Sequence, residues 1–148
     1  MADIKKEVYE EKIQTGAVNI VIKDEDDETL GTIKINPSDM DIVERYDKVV
    51  EELNKIKFEE DAEVSTEEIM SLSNTIKEKF DYLFNYPVSS VLFSKCSPLT
   101  VISSGDFFFE DVMNRLAGLI EKITDQRVKK KLAKIKKVTA KYDKKYHK

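Results

Sequence analysis

The sequence predicts an α+β fold, mainly α, in which an N-terminal β-hairpin packs on about four helices and a basic helix ends the chain. Three observations predict it. Apolar residues alternate at period two on either side of an acidic turn between residues 17 and 35. Beyond residue 36 they recur instead at alternating steps of four and three. Four glycines and three prolines are too few for a turn-rich all-β fold. At 148 residues the chain is expected to form one domain, 1–148, that needs no metal or disulfide to hold its core.

Residues 1–15 are charged and weakly periodic, as in a flexible arm or irregular lead-in. Val18, Ile20 and Ile22 then share one face of a strand, and Leu30 to Ile35 returns after the run Asp24-Glu25-Asp26-Asp27-Glu28. This hairpin, 17–35, is marginal alone and needs helices over one face. Asn36-Pro37-Ser38-Asp39 opens the helical body, 36–123, with Ser38 as the expected cap. Ile42, Tyr46, Val49, Leu53 and Ile56 form one stripe of a helix reaching about Phe58. Ser65-Thr66-Glu67-Glu68 fits a capping box for a second helix, striped by Ile69, Leu72, Ile76, Phe80 and Leu83. That helix should stop near Asn85, since Pro87 disfavours helical geometry at Tyr86. A short helix through Val91, Leu92 and Phe93 comes next. Ser103-Ser104-Gly105-Asp106 then opens a central helix whose Phe107, Phe108 and Phe109 span about 200° of the wheel, so that it must be contacted on more than one side. A last, basic amphipathic helix is expected over 124–148, with the stripe Val128, Leu132, Ile135, Thr139, Tyr142 and Tyr146.

Charge divides the chain. Residues 125–148 hold eleven Lys/Arg against two acids, a local +9, while residues 1–124 hold fourteen against twenty-seven, or −13. The tail lysines, among them Lys130, Lys134, Lys137 and Lys141, either lie solvated or paired on the acidic body or address a partner. Nucleic acid is disfavoured: the body repels phosphate, and Arg127 is the tail's one arginine for reading base edges. A membrane surface is disfavoured too, because the stripe is narrow and carries no Trp or Phe. No stretch approaches the ~20 apolar residues of a membrane span. The start of the chain lacks the apolar run of a signal peptide. These features fit a soluble, cytoplasmic protein.

No catalytic centre is expected. The run at Asp24 would need glycine sixth and glutamate twelfth to bind calcium as an EF-hand, and Thr29 and Ile35 stand there. Cys96 is the lone cysteine and His147 the lone histidine, so neither a zinc cluster nor a Cys–His nucleophile is indicated. The glycines make no phosphate loop, and no cofactor is called for. A non-catalytic, protein-binding role is what remains.

The order of elements carries a resemblance. A hairpin leads into Ile35-Asn36-Pro37-Ser38-Asp39 and a periodic helix; a later helix ends in Phe80-Asp81-Tyr82-Leu83-Phe84; Val91-Leu92-Phe93, a proline and an aromatic-rich helix come after it. Over residues 17–123 this resembles the tail assembly chaperone-like proteins of long-tailed phages and prophages of Gram-positive bacteria. Such proteins often carry glycine after the Leu-Phe, where this chain has Asn85, a residue that also tolerates the left-handed conformation closing a helix. The resemblance implies binding to the phage tape measure protein and promotion of tail tube protein assembly around it. It also implies a place in the bacterial cytoplasm rather than in the mature virion. Phe107, Phe108 and Val112, with the stripe through Leu132, Ile135, Tyr142 and Tyr146 and its flanking lysines, are the candidate contact residues. The alternatives are a small phage regulatory or nucleic-acid-associated protein acting through the basic helix, or a minor virion component. The spacing of Ile42 to Ile56 would also serve the seam of a homo-oligomer.

Overall fold

Alternating β-branched residues become two antiparallel strands, β1 (Val18–Lys23) and β2 (Thr29–Ile35). Their register sets Val18 against Ile35, Ile20 against Ile33 and Ile22 against Gly31, so one face of the ribbon is apolar throughout. The acidic turn closes on itself: the Asp24 carboxylate accepts the amides of Asp26 and Glu28 at 2.9 and 3.0 Å. Lys95 reaches back to pair with Glu28 at 3.0 Å. The computed structural model describes residues 6–55 and 65–146, with side chains as far as Lys137. The expected stripe residue Ile56 and the helix end at Phe58 lie outside them.

Four helices follow among the described residues: α1 (Asp41–Asn54), α2 (Thr66–Phe84), α3 (Ser89–Leu92) and α4 (Phe108–Tyr146). The result is α+β and mainly α. Ser65 caps α2 as its sequence requires, accepting the Glu68 amide at 3.2 Å, and Asn85 ends it in the left-handed region at φ 57°. Ser38 does not cap α1. The N-cap position is Met40, with no side-chain cap; just before it Asp39 accepts the Asp41 amide at 3.0 Å, while the Ser38 hydroxyl is used by Arg127. The α3 amides are capped from another element: the Asp81 carboxylate of α2 accepts both the amide and the hydroxyl of Ser89, at 2.8 and 2.7 Å.

One expectation is overturned. Residues 124–146 are not a separate helix but the continuation of the central one, a single α4 of 39 residues. Thr124 and Asp125 resemble a start signal, yet the Thr124 hydroxyl is spent on the Pro37 carbonyl at 3.0 Å. No proline stands beyond them to break the ladder. At its other end α4 begins one residue after Phe107. The Ser103–Asp106 segment forms a tight turn instead, with the Ile102 amide on the Asp106 carbonyl at 2.9 Å. The first α4 amides, Phe108 and Phe109, donate to the Thr100 and Pro98 carbonyls at 2.7 and 3.0 Å.

The core gathers where all elements meet. Ile33 and Ile35 of β2, Ile42 and Val49 of α1, Ile76, Phe80 and Leu83 of α2, Leu92 of α3, and Phe109, Met113 and Leu116 of α4 are all buried. The Phe93 ring joins two helices, standing edge-on to Phe80 at 5.1 Å and to Phe108 at 5.9 Å between centroids. Every buried side-chain nitrogen or oxygen among the described residues has a hydrogen-bond partner.

Candidate functional site

Helix α4 is buried for its first turns, anchored in its middle and exposed from Val128 to Lys137. The aromatic start belongs to the body: Phe107 stacks on Phe109 with centroids 5.8 Å apart, and Phe108 leans on Phe93. Val112 is buried in the core, and Phe107 and Phe108 are half-buried against it. Three successive phenylalanines are therefore explained by packing on two sides of the helix.

Further along, α4 is tied to both ends of the hairpin. Arg127 donates through Nη1 to the Gly16 carbonyl at 2.7 Å and to the Ser38 hydroxyl at 2.6 Å. Thr124 holds Pro37, and the Asn36 amide group donates to the Thr15 carbonyl at 2.7 Å. The chain entering β1 and the chain leaving β2 thus meet on one turn of α4. Sequence reasoning sees in Arg127 only a possible base reader; nothing local marks it as an anchor, because its partners lie 111 and 89 residues away.

Past Arg127 the residues from Val128 to Lys137 stand largely in solvent. Val128, Leu132 and Ile135 show 50%, 52% and 49% of their surface, close to what an isolated helix would show. Among the described residues no ion pair joins Lys129, Lys130, Lys131, Lys134, Lys136 or Lys137 to the acidic body. In the described part of the tail, Val128 to Lys137, the lysines are solvated. Lys141, Tyr142 and Tyr146 are on the same helix, but their side chains lie outside the described residues.

Beside the anchored turn runs a groove that the sequence does not reveal. Its walls are Ile42, Val43 and Tyr46 of α1, Leu83 and Phe84 at the end of α2, and Met113, Ala117 and Ile120 of α4, enclosing about 250 Å³. Glu121, Thr124 and Asp125 close its outer end. Almost all of its lining is apolar, and Val43, 55% exposed, is left open by the described residues. The signal is present in Val43 and Tyr46, which widen the α1 stripe beyond what the core uses.

Among the described residues no group of three or more His, Cys, Asp or Glu is placed to hold a metal ion, and Cys96 is a half-buried free thiol. No helix among them is long and apolar enough to cross a membrane. Comparison with family models, with curated proteins and with solved structures gives no match.

Proposed function

We propose that this chain is a non-catalytic protein-binding factor and, on the resemblance of its element order, a phage tail assembly chaperone. Its partners would be the tape measure protein and the tail tube protein, met in the host cytoplasm before the virion is complete. The observation that carries the reading is the exposed stretch of α4, where Val128, Leu132 and Ile135 stand about half in water with lysines on either side. A half-exposed stripe of this kind, next to an apolar groove, suits the capture of amphipathic helices, which present their own apolar residues at matching spacing. A tagged pull-down from host cells during tail assembly, with mass spectrometry, tests it. Recovery of a long helical tape measure protein, lost on Leu132→Glu, is the expected outcome; recovery of no tail protein rejects the chaperone reading.

The solvated lysines favour one alternative, a nucleic-acid-associated factor using the same helix. It differs in its salt response. Phosphate binding weakens steeply as counterions compete, whereas binding through apolar surface largely survives moderate salt.

A further inference from the structure

We propose that two copies of this chain pair through α4, antiparallel about a two-fold axis level with Gln126. Each copy then seats the Val128–Leu132–Ile135 stripe of its exposed helix in the Ile42–Tyr46–Ile120 groove of the other.

Three observations lead there. The groove and the stripe lie on one face of one helix. At 100° per residue, Ala117, Ile120 and Thr124 of the groove and Val128, Leu132 and Ile135 beyond it fall within about 120° of the wheel. Among the described residues of a single copy, Leu132 on that face and Val43 on the α1 wall of the groove are 52% and 55% exposed.

The spacing is self-complementary. Two α4 helices laid antiparallel with Leu132 level with Ile120 also set Val128 level with Thr124 and Ile135 level with Ala117. All three pairings share the same centre, so the two-fold needs no adjustment along its contact, which runs about 27 Å from Ala117 to Ile135. A contact of this symmetry fills both grooves at once and closes at two copies.

Charge selects this occupant over a generic apolar helix. Glu121 and Asp125 close the outer end of the groove, and among the described residues neither is in an ion pair. In the same register Lys131 of the incoming helix comes level with Glu121. The chain as a whole carries −13 before Asp125 and +9 from Asp125 on, so a second copy offers the sign each part lacks. The pairing stands independently of which foreign partner the protein captures. A partner helix would compete for the same groove.

Sedimentation equilibrium on the full chain, from about 1 to 100 µM, tests the proposal. The expected mass is twice 17.1 kDa at the upper end. Leu132→Glu should weaken association by about thirtyfold or more, since it places a charge at the centre of an apolar contact. Its far-ultraviolet circular dichroism and melting, measured on dilute single copies, should stay unchanged, because Leu132 is exposed in one copy. Glu121→Lys and Lys131→Glu should each weaken pairing, and the double variant should regain it, a rescue that a general salt effect would not give. A single-copy mass at 100 µM, undiminished association of Leu132→Glu, or a double variant no more dimeric than either single one would each overturn it.

Discussion

Gly31 decides how the hairpin sits on the helices. Its φ is +152°, and a Cβ there would lie 2.9 and 3.0 Å from the two methyls of Val91, closer than carbon atoms tolerate. Gly31→Ala should therefore lift the ribbon from α3 and lower stability by about 1–3 kcal/mol, read from the denaturant midpoint. Asp39 offers a second residue-scale test. The Arg45 guanidinium at 3.1 Å, helped by the Asp41 amide, holds its carboxyl below the usual 3.8. Because the folded value lies below the unfolded one, the stabilisation is complete above about pH 4 and is lost as pH falls through the lower folded value. Glu52, held down by Lys79, acts with the same sign. Asp39→Asn should flatten the acid limb of stability below pH ~4, with denaturant melts at pH 7 and pH 3 as the check. What sequence shows at this scale is whatever a residue does to its neighbours: the Ser65 cap, the Asn85 stop, the β-branched alternation. Ser38 departs from its expected capping role because its partner, Arg127, is 89 residues away.

At the scale of elements, α4 is the informative case. Local pattern favours a division near Ile123, because Thr124-Asp125 has the chemistry of a helix start and the stripe shifts there. Tertiary contacts use those residues differently, Thr124 on Pro37 and Asp125 at the groove's end, and the helix runs through. The hairpin, α2 and the short α3 are legible because local periodicity and caps define them. The groove is not, since it exists only between α1, the end of α2 and α4. The anchoring has two measurable consequences. Leu132→Ala, measured on dilute single copies, should shift stability by less than about 0.5 kcal/mol, because Leu132 is 52% exposed in one copy. Arg127→Ala, by contrast, should cost about 1–2 kcal/mol by removing a charged donor from Gly16 and Ser38. It should also speed proteolysis within residues 6–16, measured beside the unfolding midpoint.

Across the whole molecule, the fold separates two tasks. Hairpin and helices bury the aromatic core and close every buried polar group among the described residues. Residues Val128 to Lys137 of α4 take little part in that work and present an apolar stripe among lysines. The composition foretells the division, −13 against +9, but not its geometry: packing the tail on the acidic body is an equally reasonable arrangement on charge alone. The structure instead ties α4 to the body through Thr124 and Arg127 and leaves Val128 to Lys137 largely in solvent. A face so placed is suited to other helices, whether of a second copy or of a tail protein.

Titration of the purified chain against a recombinant apolar-helical fragment of the tape measure protein, with Leu132→Glu alongside, tests that assignment most directly. The expected result is saturable binding that changes little between 50 and about 200 mM salt and falls by about tenfold or more in the variant. No binding by the parent chain, or equal binding by Leu132→Glu, would contradict the interaction surface assigned to α4.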